Sequence, residues 1–196
     1  MSVPDGEADP RGADASAAAR AVVARGTALG LTVATAESLT AGMVAAALAD
    51  VPGASAVLQG GVVAYQNHVK AELLGVGGDL LAARGAVDPE VARRMAAGAR
   101  RALGADVGVA TTGVAGPEPH QGRPVGTVML GLAVTPALAP ALRAIAVAPA
   151  GLDEDAEGAT LGVELHLPGD RAAVRGGTVE RVLALLESLL VGVPGP

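Results

Sequence analysis

The sequence predicts an α/β fold: a three-layer α/β/α sandwich built on a mixed β-sheet. Three observations predict it. Helical patterns precede and separate the early strand-like segments, whereas the late strand-like segments follow one another as hairpin neighbours, so parallel and antiparallel pairs should mix. Two strand ends run into glycine- and threonine-rich turns, at residues 35–42 and 111–117, and ligands of open α/β sheets bind outside the carboxyl ends of strands. Hydrophobic residues make up 51% of the chain, yet there is no Phe, no Trp and one Tyr. A core of Ala, Val and Leu lets helices and strands approach closely in thin layers.

The elements follow in chain order. Residues 1–12 are acidic and polar and read as a disordered tail. An alanine-rich amphipathic helix over 13–29 ends at Gly30. A strand over 31–35 leads through the Ser38 turn into a small-residue helix reaching about residue 50. Residues 56–65 form a strand carrying Gly60-Gly61, a pair that signals a bulge or a close approach of another backbone. Short helices are expected over 66–74 and 79–84. Asp88-Pro-Glu starts a longer helix, with Asp88 as N-cap and Pro89 at the first helical position, ending at Gly104. Strands are expected over 105–111, 124–135, 142–148 and 161–167. Residues 149–160 are acidic and read as a mobile loop. A final helix over 170–190 starts at Asp170, its expected cap, and residues 192–196 form a tail. One domain, 13–191, accounts for the chain.

Composition excludes several classes of function. The net charge is −6, and no basic stripe or aromatic platform suggests nucleic-acid binding. No cysteine is present, so neither disulfides nor thiolate metal sites are expected. His68, His120 and His166 are widely spaced, unlike metal ligands, and no metal or other cofactor is expected. No secretory leader is visible and no apolar run is long enough to span a membrane. A soluble, cytoplasmic protein acting on a small molecule is the reading.

Chemistry concentrates at Ser38. A strand breaking directly into a helix exposes that residue beside unpaired helix N–H groups. Ser38 is then either a helix cap, the commoner role for serine there, or a nucleophile. Lys70 is the one lysine beside thirteen arginines, and Tyr65 is the one tyrosine; both fall within six residues of each other.

The motifs Thr35-Ala-Glu-Ser-Leu-Thr-Ala-Gly, Asp50-Val-Pro-Gly-Ala-Ser, Gly60-Gly-Val-Val-Ala-Tyr-Gln-Asn-His-Val-Lys, Gly85-Ala-Val-Asp-Pro-Glu-Val-Ala, Thr112-Gly-Val-Ala-Gly-Pro, Pro124-Val-Gly-Thr-Val and Gly169-Asp-Arg-Ala-Ala-Val-Arg resemble the C-terminal domain of the CinA proteins, in the family's order, over about residues 14–190. The resemblance implies an amidohydrolase that converts nicotinamide mononucleotide to nicotinate mononucleotide and ammonia, within pyridine-nucleotide recycling. It implies Ser38 as nucleophile, Lys70 as general base, Tyr65 beside the dyad, and Arg175 as an important arginine of the site. It also implies a homodimer. Family members often carry an N-terminal domain that cleaves ADP-ribose, for which this chain has no room.

The residues suit that chemistry. A serine attacking an amide needs a base, and a lysine serves only if burial or a nearby cation makes its amine neutral near pH 7. Backbone N–H groups around Leu39, Thr40 and Ala41 are the expected oxyanion site. Thr112 and Gly113, with Arg175, are expected to hold the phosphate or ribose. Asn67 either caps the Lys70 helix or contacts substrate, and Glu37 is expected to bond backbone N–H groups near the turn. Ala41 stands where the family commonly has a glycine. A serine amidase or esterase acting on another small amide, and a non-catalytic nucleotide-binding module, are the competing readings.

Overall fold

The computed structural model describes residues 10–146 and 151–195. Helix α1 (Pro10–Leu29) precedes strand β1 (Val33–Glu37) and helix α2 (Met43–Ala49). Strand β2 (Leu58–Val63), helices α3 (Asn67–Leu74), α4 (Gly78–Arg84) and α5 (Pro89–Leu103) and strand β3 (Val107–Gly113) follow. The chain closes with β4 (Thr127–Val134), α6 (Ala139–Ile145), β5 (Leu152–Asp155), β6 (Gly158–His166) and α7 (Arg171–Val191). The tail expected over residues 1–12 lies, as far as residue 9, outside the described residues, and α1 already begins at Pro10.

The sheet is mixed and six-stranded, in the order β2-β1-β3-β4-β6-β5. β1 pairs in parallel with β2 and β3, and all later pairs are antiparallel. The carboxyl ends of β2, β1 and β3 therefore share one edge, with β1 in the middle. Helices cover both faces, giving the expected three layers. One core joins Val33, Val107, Val109, Leu130 and Leu132 to buried residues of α1, α2 and α7. The other joins Ala34, Ala36, Ala110 and Ala133 to Val91, Met95, Ala96 and Ala99 of α5.

The two faces differ in residue size for a reason. On the α5 face the helix backbone nearly touches the sheet: a Cβ on Gly108 would lie 2.1 Å from the Ala96 carbonyl oxygen, and one on Gly131 would lie 2.1 Å from that of Ala92. At these points of contact only small residues fit beneath α5, while Met129 fills the space beside Ala92 near the start of the helix. Asp88 caps this helix by accepting from the Glu90 amide at 2.8 Å, and Gly104 ends it in the left-handed region. Asp170 caps α7 by accepting from the Ala173 amide at 2.9 Å. In β2 the bulge expected of Gly60-Gly61 occurs, and the close approach at Gly61 is of a side chain rather than of a backbone. The register slips after Val33, which pairs with Leu58 while Ala34 pairs with Gly60, and a Cβ on Gly61 would lie 2.4 Å from Thr35 Oγ1.

Two expectations are corrected. The segment read as a strand over 142–148 is helix α6, with residues 147–150 outside the described residues. Proline in its first turn needs no N–H partner there, and Leu138 and Leu142, four residues apart, both reach the core. The acidic segment read as a mobile loop contributes the β5–β6 hairpin. Leu152 pairs with Leu161 and packs on the core, while Arg143 pairs with Glu154 at 2.6 Å, and Arg93 and Arg101 pair with Asp153 and Glu157. Cross-strand pairing and these ion pairs offset the charge density that suggested disorder. No helix among the described residues is long and apolar enough to cross a membrane.

Candidate active site

β1 is buried along its whole length and releases the chain at Glu37. The Ser38 amide donates to the Thr111 carbonyl at 2.9 Å, and the hydroxyls of Thr40 and Thr111 lie 2.7 Å apart. The turn is thus tied to the end of β3. Ser38 does not cap α2, whose N-cap is Gly42 with no side-chain bond of its own. The capping acceptor is the Glu37 carboxylate. It takes the amides of Gly42 at 2.9 Å, Val44 at 3.0 Å and Ala45 at 2.9 Å, and the Thr35 hydroxyl at 3.2 Å. A buried carboxylate with four donors satisfies the orphan N–H groups of the helix start and leaves the Ser38 hydroxyl unclaimed by the helix.

Lys70 sits in the first turns of α3, where that helix crosses the carboxyl end of β2. It is 1% exposed. Its Nζ lies 3.1 Å from Ser38 Oγ, 2.8 Å from the Ala64 carbonyl oxygen and 3.2 Å from that of Tyr65. Burial lowers its pKa from 10.5 to about 8, because desolvation penalises the ammonium form. A neutral amine has two N–H bonds and one lone pair. With the two carbonyls taking the N–H bonds, the lone pair faces Ser38.

The dyad opens into a cleft of about 540 Å³, walled by Leu39, Tyr65 to Asn67, Val114 to Gln121, and Arg171. Of the residues expected in the site, Ser38, Tyr65, Asn67, Lys70, Thr112 and Gly113 line this cleft. Thr40, Ala41 and Arg175 stand behind it. The Tyr65 ring does not reach Lys70 or Ser38: it is half exposed and its hydroxyl bonds Arg171 at 3.1 Å, so only its carbonyl serves the lysine. Asn67 is the first residue of α3, and Gln66, the N-cap, makes no capping bond. The Thr112 hydroxyl donates to the Ala86 carbonyl at 2.8 Å, so its proton is committed to the fold. Arg175 donates to the carbonyls of Leu39 at 2.9 Å and Thr40 at 3.1 Å, so it grips the turn from the α7 side.

The arginine that does line the cleft is Arg171, one helical turn before Arg175. It donates to the Gly116 carbonyl at 3.0 Å and to Tyr65. The resemblance singled out Arg175, and because i and i+4 share a helix face nothing local in the sequence shows that Arg171 is the one whose turn meets the cleft. A second cleft, of about 280 Å³, lies between α5 and the β5–β6 hairpin. Arg93, Arg94 and Arg101 pair there with carboxylates of Glu90, Asp153 and Glu157, Arg100 donates to the Glu157 carbonyl, and neither serine nor lysine lines it. Among the described residues no group of three or more His, Asp or Glu is placed to hold a metal.

Ala41 adopts φ 51°, the left-handed region. For a residue with a Cβ this costs roughly 1–2 kcal/mol, partly offset because glycine loses about 0.5–1 kcal/mol more backbone entropy on folding. Ala41→Gly is therefore expected to stabilise the protein by about 0.5 kcal/mol, measured as a higher urea midpoint at unchanged slope.

Comparison with known proteins agrees with this architecture. Residues 15–142 match the model of the CinA C-terminal domain. A CinA-like protein of Frankia casuarinae is 45% identical over 163 residues, covering 83% of this chain and 33% of that protein. A putative competence-damage inducible protein of Desulforamulus reducens is 43% identical, covering 83% of this chain and 34% of that one. The chain thus spans about a third of the length of the curated relatives it matches. The crystal structure of the competence/damage inducible protein CihA from Agrobacterium tumefaciens superposes with a TM-score of 0.75 at 34% identity, covering 96% of this chain and 99% of that one. A CinA superfamily protein of Escherichia coli gives 0.77 at 28% identity, with 96% and 99% covered. The chain belongs to the CinA C-terminal domain family.

Proposed function

We propose that this chain is an amidohydrolase that converts nicotinamide mononucleotide to nicotinate mononucleotide and ammonia through Ser38 and Lys70. The observation that carries the reading is the 3.1 Å approach of a buried, pKa-lowered Lys70 amine to Ser38 Oγ. Neutral Lys70 takes the Ser38 proton as Oγ attacks the carboxamide carbon. The C=O bond opens to an oxyanion, for which the candidate donors are the amide of Leu39, a residue of the cleft wall, and those of Thr40 and Ala41 directly behind it. Among the described residues these amides meet no protein acceptor, although Leu39 and Thr40 are 4% and 0% exposed. Buried N–H groups are ordinarily paired, so unpaired ones beside a nucleophile suit a developing negative charge. The Lys70 ammonium returns the proton to the departing nitrogen, ammonia leaves, and Ser38 carries the acyl group. Water, deprotonated by Lys70, then releases the carboxylate and restores Ser38.

Arg171 is assigned to the substrate phosphate, because it presents a guanidinium at the cleft that has no carboxylate partner among the described residues. Losing one such charge-assisted contact costs about 1.5–3 kcal/mol. Arg171→Ala is thus expected to raise KM for the nucleotide by about tenfold to a hundredfold, with kcat within about threefold. The dephosphorylated riboside should be hydrolysed equally by both forms. The function itself is tested by ammonia release from nicotinamide mononucleotide. Release by the wild type and none by Ser38→Ala supports it. Equal background from both, with release from another amide in a substrate panel, would assign a different substrate.

A further inference from the structure

We propose that Arg175 is a positioning residue that presets the oxyanion site by holding two peptide planes, an inference that rests on the Ser38–Lys70 reading above. Its Nε donates to the Leu39 carbonyl at 2.9 Å and its terminal nitrogen to the Thr40 carbonyl at 3.1 Å. These are successive peptides of the Ser38 turn. In a trans peptide the C=O and the following N–H point in opposite directions. Drawing the Leu39 carbonyl toward α7 therefore turns the Thr40 amide away from α7. Drawing the Thr40 carbonyl the same way turns the Ala41 amide with it. Away from α7 lies the side of the turn where Lys70 meets Ser38 Oγ.

Three further features fit this role. Thr40 is fully buried, and its amide has no protein acceptor among the described residues, so something must keep that amide from rotating to a partner. Ala41 is held at φ 51°, and the Thr40 carbonyl before it accepts the Met43 amide at 3.2 Å as well as Arg175, so that peptide is fixed from α2 and from α7. Arg175 is absent from the cleft wall, as are Thr40 and Ala41, whereas Ser38 and Leu39 line it, so Arg175 acts through the backbone of this turn. The guanidinium suits the task because its planar fork spans two acceptors, which one ammonium does less well. Glu37 holds the far end of the same turn through the amides of Gly42, Val44 and Ala45. The carbonyls are thus held by a cation and the following amides by an anion, with the unpaired donors between them.

Two measurements on Arg175→Gln test the proposal. With nicotinamide mononucleotide, kcat is expected to fall about 10²-fold or more, as for loss of an oxyanion donor, with KM within about threefold. With diisopropyl fluorophosphate, Ser38 Oγ forms a bond to phosphorus, the P–F bond breaks, fluoride leaves and Lys70 takes the serine proton. This labelling also loads negative charge on an oxygen beside the turn and needs no nucleotide. Arg175→Gln is expected to slow it at least tenfold, and Arg175→Lys to recover part of both rates. Should Arg175→Gln fail to fold, Arg175→Lys is read in its place, with a smaller loss in the same direction. A rise in KM with kcat unchanged would make Arg175 a substrate ligand and overturn the proposal. So would labelling as fast as wild type, or a wild type that is not labelled. Arg175-dependent labelling in a protein that does not hydrolyse the nucleotide would uphold the clamp and overturn the substrate.

Discussion

Lys70→Met is expected to lower kcat for ammonia release by about 10³–10⁴-fold, the upper range for loss of a positioned general base. Methionine keeps the length and burial of the side chain and removes only the amine, so the fold should persist. Ser38→Ala should cost at least as much. Because serine and lysine act as one unit, the double variant should be no slower than the worse single variant. Multiplicative losses in that cycle would sink the dyad. The pH profile carries the same assignment. With the amine pKa lowered to about 8, roughly a tenth of the enzyme holds the neutral base at pH 7. kcat/KM should rise about tenfold per pH unit below that value and level off above it. A profile flat from pH 6 to 9 would show that Lys70 is not the titrating base. Stability should follow the same group. The folded pKa, about 8, lies below the reference value of 10.5, so the unfolded chain binds more protons between these values. The amine's contribution is full above pH 10.5 and is lost as pH falls through about 8. Relative to Lys70→Met, the wild type should therefore gain stability as pH rises across that window, measured by urea unfolding at each pH.

Glu37→Gln is expected to destabilise the protein by about 3 kcal/mol and to abolish turnover together. Glu37 is 1% exposed, and its two oxygens accept three amides and a hydroxyl. A glutamine of the same shape presents one acceptor oxygen and one NH₂ group. That NH₂ must face amides or the Thr35 hydroxyl, leaving buried donors unpaired at about 1–3 kcal/mol each. For a chain of this length such a loss corresponds to a Tm drop of roughly 6–12 °C. The neighbouring Ser38 would lose its fixed geometry, so activity should fall even at temperatures where the variant is folded. A Tm within 2 °C of wild type would mean that α2 is held by packing alone.

The sequence made much of the sheet legible and singled out Ser38 and Lys70 as candidates. Strand-to-turn transitions at residues 35–42 and 111–117, Asp88-Pro89 and Gly104 around α5, and Asp170 before α7 are local signals. Backbone chemistry at caps and turns depends on residues a few positions apart, so these signals survived into the structure. Ser38 and Lys70 stood out through type and motif, and the fold brings them to 3.1 Å. Where local patterns conflicted with distant contacts, the distant contacts prevailed. Leu142 reads equally well as strand or helix until it meets the core. The acidic 152–157 stretch reads as solvated until Arg93, Arg101 and Arg143 pair with it from elements far away in the chain.

The amino-acid order by itself determined the layered α/β architecture, because periodicity, caps and residue type are written along the chain, while Ser38 and Lys70 were linked to each other through the resemblance to a known family. Glu37 bonds backbone N–H groups of the turn as its position in the sequence suggested. The tertiary structure alone decided that Tyr65 turns its ring to Arg171 while giving Lys70 its carbonyl, and that Arg171 faces the cleft while Arg175 grips the turn behind it. Each of these depends on the direction of a side chain across a gap between elements, and on the desolvation that follows when that gap closes. Neither quantity exists until β1, β2 and β3 align their carboxyl ends and α7 closes over them.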